Sequence, residues 1–75
     1  MVLTIAQLCE IARAGGGLSL DASQFTYRQI AQVVEAAQAG GTASVALHNV
    51  AGLTATQLRD LAALAPGLVS FTISA

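Results

Sequence analysis

An α/β domain made of three helix–strand repeats is the architecture that this sequence of 75 residues predicts. The first observation is a hexapeptide that recurs as apolar, Thr, two further residues, Gln and apolar. The second is that each copy leads into a helical apolar stripe, a glycine, and a short apolar–polar alternation typical of a half-buried strand. We therefore expect a single domain, with the hexapeptides at 3–8, 25–30 and 53–58 opening units that span about 3–24, 25–52 and 53–75.

The recurring hexapeptide has the chemistry of a helix start. A Thr at the N-cap accepts a hydrogen bond from the backbone N–H three residues later, and a Gln at that later position accepts one from the N-cap N–H. The apolar residues on either side are spaced to pack on each other as a hydrophobic staple. The predicted N-caps are Thr4, Thr26 and Thr54, with Gln7, Gln29 and Gln57 as partners and Leu3, Phe25 and Leu53 as the preceding apolar residues.

Three helices are predicted over about 5–14, 27–39 and 55–65. Each ends where glycine or proline interrupts the pattern, at 15–17, 40–41 and 66–67, and glycine can adopt the left-handed conformation of a helix C-cap. Leu64 falls outside the apolar stripe of the third helix. The inward residues are expected to be Ile5, Leu8, Cys9, Ala12, Ile30, Val33, Val34, Ala37, Leu58, Leu61, Ala62 and Ala65.

Three strands are predicted over about 18–22, 43–48 and 68–74. Strands joined through helices should be parallel, with right-handed crossovers. The outer strand residues are mostly Ser, Thr and Ala, which favours a bare second sheet face with the helices on the other face. A doubly wound sheet is the alternative, although its strands would be more continuously apolar. The inner residues are expected to be Leu18, Leu20, Val45, Leu47, Val69, Phe71 and Ile73.

The pairs Leu18-x-Leu20, Val45-x-Leu47 and Phe71-x-Ile73, with helices between them, resemble the strands of a leucine-rich repeat. The position at which that repeat carries asparagine or cysteine holds Ser23 and Val50 here, and Asn49 lies one place early. The helix also precedes the strand in each unit. The resemblance implies a short curved α/β solenoid and, by analogy, a protein-binding role.

The composition is unusual for its low charge. Charged residues make up 9% of the chain and the net charge is −1, against roughly 25% charged residues in an ordinary domain. Without a basic patch, and with Arg13, Arg28 and Arg59 as the only Lys or Arg residues, we expect no nucleic-acid partner. We expect no membrane span and no signal peptide, since Gln7 and Glu10 interrupt the first apolar run. These features favour a cytoplasmic protein, and the Ala- and Gly-rich, Lys-free composition favours a bacterial source.

The candidate chemical sites are weak. A carboxylate–imidazole–hydroxyl row on the outer sheet face resembles a catalytic triad, but a solvated surface row is the favoured interpretation. This row consists of Asp21, His48 and Ser74, and it requires the strands to align on Leu20, Leu47 and Ile73. The glycines at 15–17 follow a helix, unlike a phosphate-binding loop, and the lone Cys9 on an apolar stripe is expected to be buried and inert. We therefore predict no catalytic residue, metal or cofactor.

Self-association is the functional prediction from these features. A core of this size rarely supplies more than roughly 3–5 kcal/mol by itself, and neither outer unit has the polar flank that closes a solenoid. The first and third strands should be open edges that carry almost no protective charge. We therefore expect a non-enzymatic structural or scaffolding homo-oligomer, with an interaction module for another protein as the alternative. The residues expected at the contact are Leu18, Leu20, Leu64, Val69, Phe71 and Ile73.

Overall fold

The computed structural model of the chain describes residues 3–41 and 44–73. It is a mixed α/β structure of three helices and a three-stranded parallel sheet. Within the part described, no helix has the length and apolar character needed to cross a membrane. The elements are α1 (Ile5–Arg13), β1 (Leu18–Asp21), α2 (Tyr27–Gly40), β2 (Val45–His48), α3 (Ala55–Leu64) and β3 (Val69–Phe71), with 3₁₀ turns at Ala22–Gln24 and Val50–Gly52.

All three helices begin at the predicted N-caps. In each case the Thr Oγ1 accepts a hydrogen bond from the Gln backbone N–H, at 3.2, 3.2 and 3.1 Å along the chain. The Gln Oε1 accepts one from the Thr backbone N–H at 2.9 Å in all three. Both halves of the capping box are thus present in each helix, which satisfies backbone donors that the first turn leaves without a partner.

The strands are shorter than predicted. Ala22, expected in the first strand, starts a 3₁₀ turn, and the ordered ladder of the third strand stops at Phe71. The predicted strand residues Ala43 and Ser74 lie outside the described residues. The sheet order is β1-β2-β3, so β2 is central and β1 and β3 lie at its two edges.

The register of β3 corrects the sequence-based alignment. Leu20 pairs with Leu47 as expected, but Leu47 pairs with Phe71 and not with Ile73. The cause is the turn after α3, where the Leu68 N–H donates to the Ala65 carbonyl at 3.0 Å and the Leu68 carbonyl accepts from Val45 N–H at 2.8 Å. This turn brings Val69 level with Val45. Ile73, expected on the inner face, is therefore beyond the ladder and 66% exposed.

The core is one apolar cluster to which the helices and the sheet both contribute. Residues between 25 and 52 supply most of it, and Ile30, Val33, Val34 and Ala37 of α2 are fully buried, as predicted. Within α3 only Leu61 is buried. Leu58 and Ala62 were expected to be buried but are only half-buried. Ile5 of α1 is also only half-buried. The strand residues in the same apolar cluster are Leu20, Val45 and Leu47.

The other sheet face carries small polar residues. Ser19, Ala46 and Ser70 form a row across the three strands. Ser19 and Ser70 are exposed and Ala46 is half-buried. Along each strand the residues predicted to face inward are buried or half-buried, and Ser19 and Ser70 between them are exposed, as the alternation in the sequence predicts.

Candidate interaction surface

The predicted row of carboxylate, imidazole and hydroxyl is only partly assembled. Asp21 and His48 are register partners on β1 and β2. Because Phe71 pairs with Leu47, the next residue in the row is Thr72 and not Ser74, which lies outside the described residues. The backbone agrees, since Thr72 N–H donates to the Leu47 carbonyl at 2.9 Å.

Asp21 has a structural role in this row. Its Oδ1 accepts hydrogen bonds from the backbone N–H of Ser23 at 2.9 Å and from the Ser23 hydroxyl, which caps the 3₁₀ turn that follows β1. Its Oδ2 accepts one from the Asn49 side-chain amide at 3.1 Å. The Ser23 hydroxyl, followed by the Asn49 amide, lowers the pKa of Asp21 because both donors favour the charged carboxylate. The carboxylate therefore joins the first two units at the carboxyl ends of their strands.

Asn49 was not recognised from the sequence as a contact of Asp21. Its backbone is left-handed, with φ of 55°, a conformation that Asn tolerates better than most residues. The one available signal was its nearness to the asparagine position of a leucine-rich repeat.

Cys9 and the glycines at 15–17, the other candidates for a chemical role, do not form a common site. Cys9 is buried on α1, at the groove between α1 and α2. Gly15 has a φ of 93° and lies one residue after Ala14, the C-cap of α1, where a left-handed glycine commonly ends a helix. Among residues 3–41 and 44–73, no group of three or more His, Cys, Asp and Glu is placed to hold a metal ion.

The two sheet edges present free backbone groups to opposite sides of the molecule. Leu18 N–H donates to the Ser44 carbonyl at 2.8 Å, so Leu18 directs its backbone groups toward β2. Along a strand successive residues direct these groups to alternate sides. Ser19 therefore points its N–H and C=O outward from β1, and Asp21 points its N–H outward, while the Asp21 carbonyl belongs to the 3₁₀ turn that follows. By the same alternation, Val69 and Phe71 point theirs outward from β3.

The residues predicted to mediate association divide between two flanks. The β1 flank contains Leu18 and Leu20, which line a groove with Leu3, Leu8 and Phe25. On the β3 flank, Val69 and Phe71 are half-buried. Ile73 lies there in a second groove, together with Val50 and Leu58. Leu64 is half-buried against the core.

Ile11 is an exposed apolar residue that the sequence-based list of contacts missed. Together with Ile73 it makes up the large apolar residues that are exposed within the described part of the chain. The signal was present in the sequence, because Ile11 follows its cap Thr4 by the same interval as Val33 follows Thr26.

Comparison of the chain with protein-family models, with curated proteins and with solved structures found no match.

Proposed function

We propose that the chain is a non-enzymatic structural or scaffolding protein that associates with further copies of itself head to tail. In this proposal the three units form a short right-handed solenoid with its helices on one sheet face. The β3 flank of one copy meets the β1 flank of the next. The sheet then continues from copy to copy, and α3 packs on the α1 of its neighbour.

The supporting observation is the contrast in burial between the middle strand and the edges. Val45 and Leu47 on β2 are fully buried. Of their register partners, Val69 and Phe71 on β3 and Leu18 on β1 are only half-buried although all are large and apolar, whereas Leu20 on β1 is buried. Each edge thus carries an incomplete version of the packing that surrounds β2. A further copy would complete it.

The low charge favours the same conclusion. With 9% charged residues and a net charge of −1, copies repel each other weakly. Edge strands are usually protected from pairing by Lys, Pro or inward charges. Residues 69–71 of β3 are Val, Ser and Phe, and the charged residue of β1, Asp21, is already engaged by Ser23 and Asn49.

A contact between two different flanks has a geometric consequence. Such head-to-tail interfaces leave one free flank at each end, so they produce a closed ring or an open filament. A scaffold of either kind needs no catalytic residue.

The second candidate function is an interaction module that binds another protein. The exposure of Ser19 and Ser70 favours it. These residues, with Ala46 between them, give a sheet face that a partner can approach closely. An open edge can also bind an extended peptide by strand addition.

Two substitutions distinguish association through a sheet edge from association through the sheet face. Val69→Pro removes a backbone N–H that points away from β2, so it blocks the edge without removing a hydrogen bond between β2 and β3. Ala46→Lys puts a long charged side chain on the middle of the sheet face and leaves both edges unchanged. We expect sedimentation equilibrium to show assembly of the wild type and of Ala46→Lys, and a monomeric Val69→Pro. Far-UV circular dichroism checks that both variants remain folded.

Other outcomes have defined meanings. Loss of assembly in Ala46→Lys, with Val69→Pro unaffected, would replace the edge contact by a sheet-face contact. A wild type that stays monomeric would refute self-association and leave the interaction module as the remaining candidate.

A further inference from the structure

We infer one specific docking register for this self-association: Val69 and Phe71 of one copy pair in parallel with Leu18 and Leu20 of the next. In this register Ile11 and Ile73, which are exposed on opposite flanks, become covered. The inference rests on the proposed function, and it adds which residues meet.

Ile11 marks the flank that receives the preceding copy. It lies seven residues after the cap Thr4, as Val33 and Leu61 lie seven residues after their own cap threonines. Val33 and Leu61 are 0% exposed, whereas Ile11 is 38% exposed. Val33 and Leu61 belong to α2 and α3, each of which has a helix before it to pack on. We infer that this position faces the preceding helix, and α3 of another copy would then cover Ile11 in the same way.

Ile73 marks the opposite flank. It follows Phe71 by two residues, as Ala22 follows Leu20, and the register places Leu20 and Phe71 in one row through Leu47. Ala22 and its counterpart Val50 each begin a 3₁₀ turn three residues before a helix staple, and they are 5% and 8% exposed. Ile73 is 66% exposed.

In the first two units, the residue whose backbone bonds back to this position is the apolar staple residue that follows it. The Phe25 N–H donates to the Ala22 carbonyl at 3.4 Å, and the Leu53 N–H donates to the Val50 carbonyl at 2.9 Å. The remaining apolar residue that precedes a helix cap is Leu3, which lies on the β1 flank. Leu3 of the next copy is therefore the residue that would lie against Ile73.

The backbone groups at the two edges fit this register. Val69 and Phe71 point their N–H and C=O groups outward from β3. On β1 the outward groups are the N–H and C=O of Ser19 and the N–H of Asp21. A parallel ladder requires this offset, because a residue bonds to the two neighbours of its partner and not to the partner itself. Val69 opposite Leu18 places Ser19 between Val69 and Phe71, where its groups can bond to both.

A slip of the register is disfavoured for separate reasons. A slip by one residue would turn the apolar residues of one strand to the other sheet face. A slip by two would preserve the faces but would shift the neighbouring helices by about 6.6 Å along the strand direction, more than the roughly 5.4 Å of one helical turn. The α3 helix of the other copy would then no longer lie over Ile11.

Disulfide cross-linking tests the register directly. In the inferred contact Ser70 lies opposite Ser19 of the next copy, at the roughly 4.8 Å strand spacing that a disulfide spans. Within one chain the two serines are separated by β2, at roughly twice that spacing and beyond the roughly 7 Å limit for a disulfide. Any disulfide between them must therefore join two copies. Both serines are exposed, so replacing them should not disturb folding.

The experiment uses the double variant Ser19→Cys/Ser70→Cys, with Cys9→Ser to remove the native thiol. The matched control is Ser19→Cys/Thr72→Cys in the same background, which would cross-link only if the register slipped by two residues. After mild oxidation, we expect non-reducing electrophoresis to show a ladder of covalent oligomers for the first pair and monomer for the second. A ladder from the second pair alone would overturn the inferred register and leave self-association intact.

A second measurement covers the case in which neither pair forms a ladder. If light scattering then shows that the wild type assembles, the copies meet through another surface and the inference is wrong, while self-association stands. If the wild type is monomeric, the proposed function fails as well.

The burial of Ile73 has its own test. Ile73→Ser should raise the concentration at which half of the chains are assembled by about tenfold or more, since a tenfold change corresponds to about 1.4 kcal/mol. Folding should be unaffected because the side chain is already largely exposed. An unchanged assembly concentration would show that Ile73 is not part of the contact.

Discussion

At Gly40 the end of α2 approaches the backbone of α1 so closely that a side chain has no room. A Cβ at this position would lie 2.6 Å from the Ala12 carbonyl oxygen and 2.9 Å from that of Arg13. Both are backbone atoms and cannot rotate away. We expect Gly40→Ala to lower the free energy of unfolding by about 1–3 kcal/mol, although Ala is the better helix former by about 1 kcal/mol. Urea denaturation measures the change.

Gly52→Ala is the matched control for this substitution. A Cβ at Gly52 meets no atom within 4 Å. We expect its unfolding free energy to stay within about 0.5 kcal/mol of the wild type. If Gly40→Ala is no less stable than Gly52→Ala, then α1 and α2 are farther apart in solution than the structure shows.

Asp21 predicts a pH dependence of stability. Its pKa in the folded chain is below the ordinary value of 3.8, chiefly because of the Ser23 hydroxyl and then the Asn49 amide. A carboxylate with a lowered folded pKa stabilises the fold above its unfolded pKa, and this contribution is lost as the pH falls through the folded pKa. Asp21→Asn should therefore be less stable than wild type near neutral pH. The difference should shrink as the pH falls from about 5 through the folded pKa of Asp21.

Urea denaturation across that pH range measures the effect, and Asp60→Asn is the control. The Asp60 carboxylate is exposed and lies 4.0 Å from the neighbouring Arg59 Nε. This variant controls for the replacement of an exposed carboxylate by its amide. A profile for Asp21→Asn parallel to that of the wild type would mean that the bonds from Ser23 and Asn49 do not form in solution.

The helix starts are the elements that the sequence predicts best. A capping box involves a Thr and a Gln three residues apart, so the whole interaction is local and can be recognised from spacing alone. The three predicted boxes at Thr4, Thr26 and Thr54 are all present. The bounds of all three helices agree with the predicted ones to within one residue.

Removing one cap tests this account of the helices. The helix α3 has the fewest buried residues within its bounds, so it depends most on its first turn. Thr54→Ala should lower the free energy of unfolding by about 1 kcal/mol, because the Gln57 N–H loses its acceptor. Thr56→Ala makes the same chemical change two residues later, at an exposed position inside the helix. It should be neutral or slightly stabilising. Equal effects of the two variants in thermal denaturation would argue against the cap.

The pairing of β3 could not be predicted in the same way. Its register depends on the turn in which Leu68 bonds to both Ala65 and Val45, and the Val45 contact is made across the sheet. The units also differ in length, since Leu47 and Leu53 are separated by one residue more than Leu20 and Phe25. The extra residue is taken up where Asn49 adopts its left-handed backbone, and apolar alternation gives no sign of this.

For the whole molecule, the sequence predicted which strands lie at the sheet edges but not which residues are exposed there. The position of β1 and β3 at the sheet edges follows from strands that pair in chain order. Which edge residues are exposed depends on packing between units, so Ile73 was misplaced and Ile11 was missed. Both become interpretable once the equivalent positions in the other units are seen to be buried.

Static light scattering of the purified 75-residue chain, from micromolar to millimolar concentration, is the most direct test of head-to-tail association. We expect the weight-average mass to rise with concentration above the 7.5 kDa of the single chain. A mass that stays at 7.5 kDa over the whole range would contradict the account.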